Sequence, residues 1–223
     1  MALVLHGYDY SVYVWVARLA LAQKGVAHDH REVNPFADEV PADYLALNPF
    51  GNVPTLVQDD FVLYETGSII RYVDEVFDGP SLQPTDPRDR ARMNQIIAIV
   101  DTQAYRPMVR QVFSHLVYGP SIGRAVDAEE GSAGLERSAK VLAALEALMG
   151  QGPWLVGDTI SLADLHMAPM MAYFCMAPEG AALLRDYPRL QDWWTAMQQV
   201  PALRRTDPGL PSGERRYLEG EGT

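Results

Sequence analysis

Cysteine is nearly absent: Cys175 is the one thiol in 223 residues. A single cysteine excludes an internal disulfide framework, a four-cysteine zinc site and a C-x-x-C redox pair, and it fits a reducing compartment. Basic charge is scarce as well. Lys and Arg number 18 against 29 Asp and Glu, for a net charge of −11, and no basic patch with interleaved aromatics occurs, which speaks against nucleic acid as a partner. Long apolar runs are missing too. The longest, MAPMMAYFCMAP at residues 167–178, is too short and too rich in proline to span a bilayer. The start, MALVLHGYDY, has no basic region before its apolar stretch, so no signal peptide is expected and a cytoplasmic protein is.

What is present divides in two. The first 78 residues carry 4 basic and 12 acidic groups, and strand-like and helix-like patterns alternate in them. ALVLH is a short apolar strand. SVYVWVARLALAQK (Ser11–Lys24) has helical spacing, with Ser11 as a candidate N-cap and Gly25 as a stop. AHDHREV suits a second strand and PADYLAL a short helix. VPTLV and FVLYE read as a hairpin across Asp59-Asp60, followed by a helix over TGSIIRYVDEVF. This is an α/β unit over residues 1–78. GPSLQPTDP (79–87), with three prolines, reads as a linker. Residues 88–223 show helical periodicity and no convincing strand: Arg88–Tyr118 with a kink expected at Pro107, Leu135–Met149, a helix opened by Ser161-x-x-Asp164 as a capping-box variant, and Asp192–Val200. The stretch from Pro208 onward reads as a surface tail.

One detail of the first unit points to chemistry. Pro54 opens a strand, although proline cannot donate to a sheet ladder. A cis Val53–Pro54 bond would make a sharp turn that leaves the N–H and C=O of Val53 free for a peptide-like ligand; an ordinary trans proline at an edge strand is the plain alternative. Downstream, Tyr64-Glu65-Thr66-Gly67-Ser68 opens a helix, where free N–H groups and the positive dipole end favour a carboxylate and Glu65 can receive an ammonium group. A ligand with a peptide backbone, a free amine and a free carboxylate fits this set. Glu65 as a merely favourable acid in a first helical turn is the rival reading.

Four pieces of the chain, GYDYS before a helix, LNPFGNVP, LYETGSIIRYVDE and DTISLADL, occur in the order and at the separations of the soluble glutathione transferases, and with the helical half the resemblance covers nearly the whole sequence. It implies a thioredoxin-like α/β N-terminal domain, an all-α C-terminal domain, a homodimer and glutathione as co-substrate, with no metal. It also implies that Val53, before the cis proline Pro54, pairs with the cysteinyl backbone of glutathione, that Glu65 and Thr66 hold its γ-glutamyl end, and that Asn52 supplies a donor. DTISLADL would be a folding and capping element without contact to the chemistry.

Conjugation needs glutathione as thiolate, and a hydroxyl that donates to the sulfur stabilises that anion. Relatives place Tyr or Ser near the end of the first strand. Ser11, four residues after Gly7, resembles the serine-type classes such as phi and tau, and is the leading candidate; Tyr8 is its rival, and Ser11 also suits a cap alone. Serine-type relatives often hold the glycine carboxylate with a basic residue before LNPFG, where this chain has the acidic ADEVP, so glutathione binding is expected to be weak to moderate unless Arg18 or a partner subunit compensates.

For the second substrate, Tyr10 and the helical face of Tyr105, Met108, Val109 and Val112 are candidates, though such apolar stripes often belong to a core. Arg106 and Arg110 could meet an anionic substrate or simply be solvated. His28, His30, His115 and His166 lack partners at metal-ligand spacing in sequence, and they read as structural together with Cys175. Phe50 suits either a partner subunit or packing at home. The expected activity is attack of activated glutathione on a hydrophobic electrophile. Isomerase, dehalogenase or peroxidase chemistry and a non-catalytic carrier or interaction role are the alternatives.

Overall fold

The computed structural model describes residues 2–210 and contains two compact units. One gathers the described residues up to Pro80 and from Thr206; the other is Ser81–Arg205. Residues 211–223 of the expected tail lie outside the described residues. The expected linker is not a free spacer. Leu82 is 1% exposed, and its carbonyl accepts from the Leu162 N–H at 2.9 Å, because an apolar side chain in a proline-rich strap still gains from burial.

In the first unit, four short strands form one sheet in the order β2-β1-β3-β4: β1 (Leu3–Gly7), β2 (Asp29–Glu32), β3 (Thr55–Gln58) and β4 (Phe61–Tyr64). β1 and β2 run parallel, which requires a crossover, supplied by α1 (Val12–Gln23). β3 is antiparallel to both β1 and β4. Ser11 caps α1, its Oγ accepting from the Val14 N–H, and Gly25 beyond the helix end takes φ +69. The short α2 (Ala42–Leu47) and α3 (Thr66–Val76) complete the unit, and α1 packs against α3. Lys24, at the end of α1, is buried and bonds the Asp74 carboxylate at 3.2 Å and the Asp74 and Pro80 carbonyls at 3.1 Å each.

The second unit is helical. α4 (Pro87–Ile99) continues into a π-helical stretch, Val100–Tyr118, with a single turn α5 (Gly119–Ser121) at its end. α6 (Ala128–Leu148), α7 (Leu162–Met176), α8 (Pro178–Leu184), α9 (Pro188–Met197) and α10 (Pro201–Thr206) follow. α6 starts two turns earlier than its apolar stripe suggests, because Asp127 caps it by accepting from the Glu130 N–H. α7 is buried nearly all round, as its uniformly apolar sequence requires. Gly134 lets α6 approach the π-helical stretch closely: a Cβ there would lie 2.7 Å from Gln111 Cβ and 2.9 Å from the Pro107 carbonyl.

The kink expected at Pro107 takes the form of that wider helix. Proline disfavours a regular α turn by its missing N–H and its ring, and here Ser114 Oγ and the Gly119 N–H each bond a carbonyl five residues back.

Candidate active site

Register brings the separate motifs to one end of the sheet. Gly7 is the last residue of β1 and pairs with Glu32, the last of β2. His6 pairs with Thr55, the first residue of β3, and Thr55 pairs with Tyr64, the last of β4. Ser11 after β1, Val53-Pro54 before β3 and Glu65-Thr66 after β4 therefore all follow from the same sheet end, although they are far apart in sequence.

The Val53–Pro54 peptide bond is cis. Val53 is half-buried, and its backbone N–H and C=O have no partner among the described residues. The loop before it is tightly held. Tyr44, 3% exposed, donates its hydroxyl proton to the Asn52 carbonyl at 2.5 Å and lies 2.9 Å from Thr55 Oγ1. Asn48 Nδ2 donates to the same Asn52 carbonyl at 2.8 Å, and Asn48 Oδ1 accepts from the Phe50 N–H at 3.1 Å. The Asn52 side chain is exposed.

At the start of α3, Glu65 sits at φ +70, ψ 111, a region that side-chain-bearing residues seldom occupy. Its carbonyl accepts from the Ser68 and Ile69 N–H groups at 2.9 and 3.0 Å. The N–H groups of Thr66 and Gly67 open the first turn, where no helical acceptor exists, and the helix dipole adds its positive end there. The Glu65 carboxylate is exposed and has no partner among the described residues, while Thr66 is buried. This corner can take an ammonium on the acid and a carboxylate on the N–H groups.

Near β1, the Ser11 N–H donates to the Tyr8 carbonyl at 2.9 Å, and Ser11 Oγ accepts a long 3.4 Å bond from Val14. A hydroxyl that accepts keeps its own proton to donate, so cap and thiol activator are compatible roles for Ser11. Tyr8 is 7% exposed, its ring edge-on to those of Tyr10 at 5.6 Å and Phe36 at 6.0 Å; Tyr10 is half-buried.

Sequence spacing missed one grouping. His30 does have partners: its Nε2 lies 3.3 Å from Asp9 Oδ1 and 3.2 Å from Glu32 Oε2. Parallel pairing of β1 with β2 brings Asp9 to His30, a contact that no local motif signals, whereas Glu32 is a neighbour two residues along the same strand. The ligand atoms of Asp9, His30 and Glu32 lie within 4.8 Å of one another, so the three could hold a cation, and they are exposed. Arg18 already pairs with Asp9 at 3.3 Å. The other histidines read as structural stand elsewhere. His166 is fully buried with its Nε2 2.7 Å from Asp101 Oδ1, and His115 lies 3.8 Å from Asp127. Burial pushes the Cys175 thiol up to about 12, the opposite of a reactive cysteine.

Tyr105, Met108, Val109 and Val112, expected to face the second substrate, all lie in the π-helical stretch. Met108 and Val112 are fully buried and Val109 nearly so, while Tyr105 is half-exposed. Arg106 and Arg110 are exposed, and Phe50 is 67% exposed.

Comparison with known proteins places this arrangement. Residues 5–81 match the family model described as glutathione S-transferase, N-terminal domain, and residues 105–201 match that described as glutathione S-transferase, C-terminal domain. The chain is 33% identical to glutathione S-transferase F13 of Arabidopsis thaliana over 215 residues, covering 94% of this chain and 97% of that one. Among solved structures, glutathione S-transferase III in apo form superposes with a TM-score of 0.83 at 31% identity, covering 95% of this chain and 98% of the other. The theta class glutathione S-transferase of Xanthomonas axonopodis pv. citri, with glutathione bound, superposes at 0.77 with 29% identity, covering 92% and 96%.

Proposed function

The chain belongs to the glutathione S-transferase family, and from that premise we propose that it is a serine-type transferase that conjugates glutathione to a hydrophobic electrophile. The observation that carries this reading is the free backbone of Val53 at the sheet end shared by Ser11 and Glu65. The N–H and C=O of Val53, with Pro54 behind it, pair with the cysteinyl backbone as a neighbouring strand would. Glu65 receives the γ-glutamyl ammonium, and the N–H groups and hydroxyl at Thr66 receive its carboxylate. Asn52, exposed beside Val53, donates toward the glycine end.

The cysteinyl sulfur then lies toward Ser11, whose hydroxyl donates to it and favours the thiolate, with the N-terminus of α1 adding its dipole. The thiol proton leaves to solvent. The thiolate pair attacks the electrophilic centre, a carbon–sulfur bond forms, and a leaving group, where there is one, departs with its bonding pair. Ser11 is preferred to Tyr8 as activator because its hydroxyl accepts from Val14 at the N-terminus of α1 and keeps its own proton to donate. Within the first unit, the half-buried Tyr10 lines the place of the second substrate. The protein acts in the cytoplasm as a homodimer in detoxification, with exposed Phe50 as an anchor for the partner subunit; no helix of the described residues is long and apolar enough to cross a membrane.

The test is the ultraviolet absorbance of glutathione thiolate against pH in wild type, Ser11→Ala and Tyr8→Phe. A depressed thiol pKa that rises by about one to two units in Ser11→Ala alone, the worth of one charge-assisted hydrogen bond, is expected. Loss of the shift only in Tyr8→Phe would move the activating role to Tyr8, and no thiolate signal in wild type would favour the carrier alternative.

A further inference from the structure

The network beneath Val53 has a direction. The one hydroxyl proton of Tyr44 goes to the Asn52 carbonyl at 2.5 Å, so Thr55 Oγ1, at 2.9 Å, donates its own proton to the Tyr44 oxygen. Asn48 Nδ2 completes the loop, reaching the Asn52 carbonyl at 2.8 Å and Thr55 Oγ1 at 3.3 Å. Tyr44 and Thr55 are buried, with Thr55 at 0% exposed as the first residue of β3. The network therefore ties the loop to the sheet without competition from water.

The Asn52 carbonyl and the Val53 N–H belong to a single planar peptide unit and point in opposite directions. Clamping that oxygen on two donors aims the Val53 N–H. We propose that Tyr44 is a positioning residue for glutathione: through the Asn52 carbonyl it orients the Val53 N–H toward the cysteinyl carbonyl of the bound tripeptide. This rests on the reading that Val53 pairs with glutathione. Tyr44 itself touches no substrate, and its signal in the sequence is weak, because a tyrosine in a short helix ordinarily reads as core.

Tyr44→Phe keeps the buried ring and removes the hydroxyl. Its KM for glutathione should rise roughly three- to tenfold, the worth of one net hydrogen bond, with kcat, the KM for the electrophile and the thiol pKa of bound glutathione held. Thr55→Val, which removes the donor to Tyr44, should act in the same direction, and the double variant should be less than additive. Amide NMR separates the proposal from the reading beneath it. In wild type, glutathione should shift the Val53 amide, and in Tyr44→Phe that shift should shrink. Wild type in which glutathione moves the Thr66 and Gly67 amides but leaves Val53 still would overturn the Val53 reading and the role of Tyr44 with it. A Val53 shift in wild type with an unchanged glutathione KM in Tyr44→Phe would overturn the role of Tyr44 alone, as would a raised thiol pKa or a lowered kcat in that variant.

Discussion

The Trp193 indole Nε1 donates to Asp164 Oδ1 at 2.8 Å inside the helical unit. The Leu155 N–H donates to the same oxygen at 2.8 Å, and the Ser161 N–H and hydroxyl donate to Oδ2 at 2.7 Å each. Asp164 is fully buried; burial pushes its carboxyl above the usual range, and the four donors offset only part of that rise. The capping-box aspartate is thus also the hub that joins the 150s loop, α7 and α9.

Asn at position 164 turns an NH₂ toward groups that are themselves donors and leaves at least one of them unsatisfied. Asp164→Asn should therefore lower stability by about 2–4 kcal/mol. Denaturant midpoints measure this, and an unchanged midpoint would contradict the assignment of the hub. Glutathione affinity in whatever fraction remains folded should be that of wild type.

Glu65 sits at φ +70, and in the proposed reading its carboxylate receives the ammonium of glutathione, so stability and binding should separate there. Glu65→Gly relieves the backbone strain, and its melting temperature should be no lower than that of wild type. Its affinity for glutathione should fall at least roughly tenfold, as expected when a charge-assisted contact is lost. Glu65→Gln, which keeps the strained backbone and loses only the charge, should show reduced affinity without a gain in stability. Thermal melts and calorimetric titrations on the same samples read both quantities.

Glutathione itself should bind weakly to moderately. The loop before LNPFG carries Asp38 and Glu39, both exposed, and Arg18, on α1, is engaged by Asp9 at 3.3 Å. Calorimetry should return a Kd in the micromolar range or weaker, and Asp38→Lys should tighten it several-fold at low salt, less so at high salt. Sub-micromolar binding by wild type would be incompatible with this account of the glycine end.

Acid should weaken the fold through His6 and His28. Burial lowers the pKa of both, with Arg31 lowering His6 further. Each is neutral in the native protein, while the unfolded chain titrates near ~6.5. Below that pH the unfolded chain takes up protons that the native protein refuses, so stability drops as pH falls from ~6.5 through the depressed native values. Between pH ~7.5 and ~5.5, the loss measured by chemical denaturation should be smaller in His6→Asn than in wild type. An equal loss in the two proteins would assign the acid sensitivity to other groups.

Most elements were legible in the sequence because their signals are local. Ser11 as a cap, Gly25 past a helix end, the Asp59-Asp60 hairpin and the helix opened by Ser161 all follow from a few neighbouring residues. The motif pieces around Val53 and Glu65 were legible for the same reason. The early start of α6 and the short α8 were not, since their first turns lack a strong apolar stripe. The π-helical form around Pro107 was hidden too, because proline forbids the regular turn without choosing its replacement.

By itself, then, the sequence determined the alternation of elements, the division into an α/β and a helical half, and the chemical character of the candidate ligand-binding motifs. Only the tertiary structure decided that β1 lies between β2 and β3, and everything that depends on that order: Ser11, Val53 and Glu65 following from one sheet end, His30 beside Asp9, and Thr55 completing the bonds of Tyr44 around the Asn52 carbonyl. The physical reason is that strand pairing and burial act between residues distant in the chain. Their pattern of hydrogen bonds is set by register across the sheet, and no short stretch of sequence carries that register.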